Sequence, residues 1–276
     1  MAELPEIAKY TAQMDETLRG RVMADVVILQ EKCCNIPPDE LVARIRGAAV
    51  TRVQYRGKWI THTLDNGETI LLNYGMGADV IFAEAGTPDP EKYQIKVVFT
   101  DGTFYTAKFW WFGMFHLCPT ADVDNHPSYK DVALDPFNSA FTEEYFAQLL
   151  SGKRTQVKSF MLNQKNIGGI GNMYAHDILW EARLHPQTKI SAMTEAEVLG
   201  LYGAIQKVLG ASRDRGSFEW EKDFHGQPGG WGGEGRDDFK VGYLEGEPCP
   251  RCATAIIMLK TGSTSSYLCP QCQVLA

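Results

Sequence analysis

The chain has 276 residues and a formal net charge of −7, from 27 basic and 34 acidic side chains. That length is more than one hydrophobic core usually organises, so two domains are expected. With 44% apolar and 22% charged residues the composition excludes a disordered or fibrous chain, and no apolar run approaches the ~18 residues that a membrane-spanning helix needs.

The first element reads as a helix with Ile7, Tyr10, Met14 and Leu18 on one face and Gly20 placed to stop it. A short second helix opens at Pro37-Pro38-Asp39-Glu40, turns Leu41, Val42 and Ile45 inward, and ends at Gly47. Residues 53–64 alternate in the manner of a strand, Asp65-Asn66-Gly67 is a hairpin turn, and 69–72 return. A second hairpin joins Ile95–Phe99 to Phe104–Phe109 through Asp101-Gly102. Residues 119–138 lose all periodicity and read as a linker.

Thr142 then starts a helix that buries Phe146, Leu149 and Leu150 and ends at Gly152, and a second helix covers 156–162. A glycine-rich turn, 166–172, opens a third helix through Tyr174, Ile178 and Leu179. Thr194-Glu-Ala-Glu197 is a capping box for a fourth, with Val198, Leu201, Ile205 and Leu209 inward. A glycine-dense loop and a cysteine ribbon close the chain. The expected fold class is α+β and multidomain. An antiparallel β-sandwich with a leading helix covers 1–118, a linker 119–140, a helical domain 141–222, a glycine-rich loop 223–245 and a metal ribbon 246–276.

Charge is distributed as 13 basic against 19 acidic residues in 1–140, 9 against 8 in 141–220, and 5 against 7 in 221–276. No segment has the strongly basic balance typical of a nucleic-acid-binding domain, although phosphate affinity depends on local Lys and Arg placement. The opening Met-Ala-Glu-Leu-Pro-Glu has acids where a signal peptide has basic residues, so a soluble, cytoplasmic protein is expected.

Three features could carry chemistry. Cys249-x-x-Cys252 and Cys269-x-x-Cys272, separated by sixteen residues, have the spacing of a structural Zn²⁺ ribbon, and a full four-thiolate set leaves no open coordination position. The alternative is a set of free thiols. The turn Gly168-Gly169-Ile170-Gly171-Asn172 opens a helix whose unpaired N–H groups could hold a phosphate, with Asn172 donating to it. It could equally be a tight structural turn. Removal of Met1 would leave the amine of Ala2 beside the Glu3 carboxylate. An α-amine of pKa about 7.7–8.0 is partly neutral and nucleophilic near pH 7. The six histidines show no ligand or triad spacing, and Cys33-Cys34 reads as buried packing.

In order, Glu3-Leu4-Pro5-Glu6, Gly57-Lys58, Gly75-Met76, Lys158, Gly169-x-Gly171-Asn172-x-Tyr174-Ala175 and Gly246-Glu247-Pro248-Cys249 resemble the formamidopyrimidine-DNA glycosylase/endonuclease VIII family of base-excision repair enzymes. The resemblance covers nearly the whole chain. It implies a β-sandwich, a helix–two-turn–helix domain and a zinc finger, with damaged or abasic DNA in the cleft and a flipped nucleotide. It further implies a DNA N-glycosylase with apurinic/apyrimidinic-site lyase activity, one structural Zn²⁺, a monomer, no membrane partner, and a place with the bacterial nucleoid.

By the same resemblance the amine of residue 2 attacks C1′, a Schiff base forms, and β/δ-elimination cuts the strand. Glu3 assists ring opening and proton transfer, and Glu6 is a second acid beside it. Lys58 completes the catalytic set and, with Asn172, grips phosphates flanking the lesion; Lys158 supplies another basic contact. Met76 fills the gap left by the flipped base, with Phe112 as a wedge.

The chain departs from the family pattern in several places. Ala2 stands where a proline nucleophile is usual, so a primary amine gives an imine that must be protonated. Trp110-Trp111-Phe112-Gly113 replaces Arg-Arg-Phe-Gly, so Trp110 either stacks on an unpaired base or packs in the core. Thr264 aligns with the zinc-finger arginine, leaving Lys260 as the nearest basic residue, and the loop 229–235 is long and centred on Trp231. These changes expect weaker duplex affinity. The readings that compete with a glycosylase are a non-catalytic lesion- or branched-DNA-binding protein on the same scaffold and a zinc-ribbon RNA-binding protein.

Overall fold

A computed structural model describes residues 2–215, 222–228, 239–262 and 264–275. They form two compact units. The first comprises Ala2, Glu6–Asp131 and residues 222–228; the second comprises Glu3–Pro5, Val132–Arg215 and the described residues beyond 238. The chain passes from one unit to the other between Asp131 and Val132.

Helix α1 (Leu4–Leu18), which belongs to the first unit from Glu6 onward, buries Ile7, Tyr10, Met14 and Leu18 along one stripe. Residues at i, i+3, i+4 and i+7 share a helix face, so one side of α1 is apolar and seeks a sheet. Strand β1 (Met23–Ile28) and helix α2 (Pro38–Ile45) follow. Proline enters α2 in its first turn, where its missing N–H would have no partner.

The alternating run 53–64 is divided by a hairpin at Gly57-Lys58, as expected for that pair, into β2 (Val50–Arg56) and β3 (Trp59–Leu64). Gly57 has φ +59°, the left-handed value that a two-residue hairpin needs at its first position. Strands β4 (Glu68–Asn73), β5 (Ala78–Ala83), β6 (Ile95–Phe99), β7 (Phe104–Phe109) and β8 (Met114–Pro119) complete the set.

Two antiparallel sheets result, in the orders β1-β6-β7-β5 and β2-β3-β4-β8. Val26, Val80, Val97 and Phe99 from one sheet share a single buried cluster with Val53, Ile60, Ile70 and Phe115 from the other, and Ile7 and Met14 of α1 join it. This is the expected sandwich. His62 also lies in it, wholly buried, with neither ring nitrogen hydrogen-bonded.

The second unit is helical. Thr142 accepts the Tyr145 N–H and caps α3 (Glu143–Leu150), which leads to α4 (Val157–Leu162) and α5 (Asn172–Glu181). The expected capping box opens α6 (Glu195–Arg215): Thr194 N–H donates to Glu197 at 2.7 Å, and Glu197 N–H donates to the Thr194 hydroxyl at 3.2 Å. α5 packs on α6, where the hydroxyls of Tyr174 and Ser212 meet at 2.6 Å. Strands β9 (Ile257–Thr261) and β10 (Thr264–Leu268) form the ribbon hairpin. Among the described residues no helix is long and apolar enough to cross a membrane. The glycine-rich loop 229–235 with Trp231 lies outside the described residues.

Candidate nucleic-acid interface and metal centre

The turn before α5 is assembled from its own polar side chains. Gln164 donates to the Ile170 carbonyl at 2.7 Å and accepts the Gly169 N–H at 2.8 Å, while Asn166 donates to the Phe160 carbonyl at 3.1 Å. Gly169 has φ +88°, and a Cβ there would lie 2.7 Å from the Leu4 Cβ. Only glycine lets the start of α1 come so close. Leu4 N–H then donates to the Gly169 carbonyl at 3.0 Å.

That contact delivers Glu3 to the N-terminus of α5. Its carboxylate, wholly buried, accepts the N–H of Gly171 at 2.7 Å and of Met173 at 3.0 Å. Gly171, the cap residue of α5, has no side chain to offer. A carboxylate from far along the chain therefore satisfies helix donors that would otherwise be orphaned, and the positive end of the helix dipole stabilises its charge. This corrects the expectation of a phosphate held on those backbone N–H groups: two of them are already taken by Glu3. Asn172 remains half-exposed, with its amide 3.5 Å from the Tyr243 hydroxyl.

Lys158 also differs from expectation. It is 1% exposed, and its ammonium donates to the Ser265 carbonyl at 2.5 Å, to Ser266 Oγ at 2.8 Å and to Thr264 Oγ1 at 3.3 Å. Three donors on one ammonium are thus spent on the ribbon strand β10, leaving none facing a phosphate. Burial lowers its pKa to about 8. Neighbouring His176 is held neutral at about 3, first by burial and then by the Lys158 charge, and its Nδ1 accepts the Tyr267 N–H. Lys260, on β9, is exposed.

α5 organises the rest of this unit. Asp177, buried, accepts the N–H groups of Lys240, Val241 and Gly242 at 2.8, 2.9 and 3.1 Å. Burial pushes its carboxyl pKa up, against the pull of those three bonds. Trp180 donates its indole N–H to Cys249 Sγ at 3.4 Å, and Arg251 stacks on the Trp180 ring at 3.8 Å while bonding the Trp180 carbonyl.

The four sulfurs of Cys249, Cys252, Cys269 and Cys272 all lie within 4.8 Å of one another, with separations of 3.4 to 3.9 Å along three edges. A tetrahedral Zn²⁺ with Zn–S bonds of about 2.3 Å has sulfur–sulfur edges of roughly 3.8 Å. The cluster fits one structural Zn²⁺, and the Trp180 N–H supplies the outer-shell bond that orients a thiolate.

In the first unit, Ala2 sits in the buried apolar cluster and Glu6 is wholly buried. Lys58 occupies the β2–β3 turn, half-buried, and its carbonyl accepts the Asn73 amide at 3.1 Å. Asn73 also accepts the Gly75 N–H at 2.9 Å, linking the Lys58 turn to the turn bearing Met76. Asn73 was not singled out from the sequence; an Asn two residues before a turn glycine was the only signal available. Trp110, Trp111 and Phe112 project outward rather than into the core, at 48, 68 and 73% exposure.

A two-sheet sandwich in one unit, with consecutive helices and a four-cysteine ribbon in the other, is the architecture of a metal-stapled, multidomain α+β protein. Comparison with known proteins gives the family. The chain matches the formamidopyrimidine-DNA glycosylase N-terminal domain over residues 1–108, the formamidopyrimidine-DNA glycosylase H2TH domain over 132–219, and the zinc finger found in FPG and IleRS over 246–274. It is 30% identical to a formamidopyrimidine-DNA glycosylase of Desulforamulus reducens, covering 99% of both chains. It is 32% identical to that of Jannaschia sp., covering 99% of this chain and all of the relative. In fold it is similar to the Lactococcus lactis Fpg in complex with abasic-site DNA, with a TM-score of 0.89, 22% identity, and coverage of 99% and 100% of the two chains. The chain belongs to the formamidopyrimidine-DNA glycosylase family of DNA-repair enzymes.

Proposed function

We propose that this chain excises damaged, oxidised bases from DNA and cuts the resulting abasic site through the amine of Ala2 once Met1 is removed. The observation that carries the reading is the Glu3 carboxylate, buried and anchored by two N–H groups beside residue 2, in a chain whose relatives are DNA glycosylases. The neutral amine attacks C1′ of the flipped nucleotide; the glycosidic electron pair leaves with the base, which takes up a proton. Glu3 takes the proton that the attached amine gives up, returns it to the ring oxygen as the C1′–O bond opens to a protonated imine, and then takes the C2′ proton in the elimination that expels the 3′ phosphate.

In this reading Lys58, Asn172 and Lys260 meet phosphates, and Lys158 acts by holding β10 in place. Glu6 supports the buried N-terminal turn, and Met76, Trp110 and Phe112 fill the space left by the flipped nucleotide. The segment 1–118 carries the chemistry, 141–222 and 246–276 grip the DNA, and the protein works as a monomer at the bacterial nucleoid.

The test is borohydride trapping on abasic and oxidised-base duplexes, using protein whose N-terminus has been verified as Ala2 by mass spectrometry. A covalent protein–DNA adduct is expected, and its absence on every lesion overturns the lyase. A non-catalytic lesion-binding role on the same scaffold is the second reading, favoured by the primary amine at residue 2. It predicts tight binding to abasic DNA without base release or cleavage.

A further inference from the structure

A single side-chain amide frames the turn that receives Glu3. Half-buried Gln164 donates from Nε2 to the carbonyls of Leu162 at 3.1 Å and Ile170 at 2.7 Å, and its Oε1 accepts the Gly169 N–H at 2.8 Å. Two donors and one acceptor are thus matched to two carbonyls and one N–H, which fixes which way round the amide sits. The stretch after Val132 braces the same turn: Ala133 N–H donates to the Gln164 carbonyl at 2.9 Å, and Gly168 N–H to the Leu134 carbonyl at 3.0 Å.

The Ile170 carbonyl and the Gly171 N–H belong to one peptide unit, and in a trans peptide they point to opposite sides. Gln164 holds the carbonyl, and the buried Glu3 carboxylate holds the N–H at 2.7 Å. Gln164 and Glu3 are therefore joined through a single planar group. Donation to the carbonyl polarises that group and makes its N–H the stronger donor. It also stops the group from turning over, which Gly171, with no Cβ, does little to resist. A turned peptide would aim the Ile170 carbonyl at the Glu3 carboxylate and remove one of its two backbone anchors. On the preceding residue the same amide fixes Gly169, whose carbonyl takes the Leu4 N–H at 3.0 Å.

Resting on the glycosylase reading, we propose that Gln164 is a positioning residue for Glu3: it locks the Ile170–Gly171 peptide and so holds the carboxylate beside residue 2. It acts on the proton transfers of Glu3 through that peptide and not through the reacting atoms. Its loss slows the chemical steps and leaves DNA affinity in place.

The experiment uses the zinc-loaded full chain, with Ala2 verified as its first residue, in excess over abasic duplex DNA. Single-turnover strand cleavage gives the rate, and anisotropy on a tetrahydrofuran analogue gives the dissociation constant. Gln164→Met removes all three side-chain bonds. Its rate at saturation should fall on the order of 10- to 100-fold, with a dissociation constant within about threefold of the parent's. Gln164→Glu keeps the acceptor for Gly169 but, when ionised, sets an oxygen against two carbonyls, which raises its pKa above the ordinary value of about 4.3. Once protonated, its O–H can donate to the Ile170 carbonyl as the amide did. The rate of Gln164→Glu relative to the parent should therefore climb as pH falls from about 8 to 5, while that of Gln164→Met stays flat; a packing role predicts no such recovery. The inference is overturned, and the glycosylase reading left standing, by parent-like cleavage in Gln164→Met, by a loss confined to the dissociation constant, or by a flat ratio for Gln164→Glu. Loss of the fold in both variants, read by circular dichroism and zinc content, also overturns it. A parent that neither traps nor cleaves abasic DNA overturns the lyase reading and this inference with it.

Discussion

The carboxylate of Glu3 and the backbone N–H of Gly171 lie 2.7 Å apart although 168 positions separate them in the chain. One acid thus serves as the cap of α5 and as the residue beside the proposed nucleophile. Glu3→Gln keeps an acceptor but removes the charge at the helix N-terminus, a loss of about 1–2 kcal/mol. Thermal or urea unfolding should show that loss, and trapping should fall by at least about tenfold. Gly169→Ala attacks the same junction through the backbone, because its Cβ would collide with Leu4. It should cost about 2 kcal/mol or more and reduce trapping without touching any reacting group.

The primary amine of Ala2 has a kinetic signature. Attack needs the neutral amine, so trapping rises as the pH approaches the ordinary α-amine range of about 7.7–8.0. Borohydride reduces the protonated imine, so trapping falls again at higher pH, where that imine is neutral. Ala2→Pro makes the imine a permanent cation, and its profile should keep the rising limb and lose the falling one. Measuring trapping rates from pH 5 to 10 on abasic DNA decides it.

His62 should set part of the acid limit of stability. Burial lowers its pKa from 6.5 to about 4. Between those values the unfolded chain takes up a proton that the folded chain refuses, so stability falls as pH drops from 6.5 to 4, by about 3 kcal/mol in all. His62→Phe removes that slope. It also removes two ring nitrogens without hydrogen-bond partners, a gain of about 1–3 kcal/mol at pH 7. Urea unfolding at pH 7 and pH 5 should show the variant at least as stable as the parent and less sensitive to acid.

Trp180 should matter to the metal more than to the fold. Trp180→Phe keeps most of the ring that Arg251 covers and deletes the N–H that reaches Cys249. Zinc affinity should drop about 10- to 100-fold, measured by competition with a chromophoric chelator. Full removal of zinc should unfold the ribbon and release β10 from Lys158, with a fall in abasic-DNA affinity.

Much of this protein is written in local sequence. The Cys-x-x-Cys pairs, the Thr194–Glu197 box, the Asp65-Asn66-Gly67 turn and the stripe on α1 are each readable, because a metal knuckle, a cap, a turn or a helix face is built from residues a few positions apart. The ordered motifs reveal the family for the same reason. Three decisions belong to tertiary structure alone. Lys158 looks like any basic contact until packing buries it under β10. The α5 N-terminus looks ready for a phosphate until Glu3 arrives there from the other end of the chain. Trp110 and Trp111 could be core or surface until the Gly75–Gly77 turn clasps their loop and turns them outward. In each case the deciding partner is distant in sequence, and hydrophobic periodicity carries no record of which distant group will occupy a donor or cover a side chain.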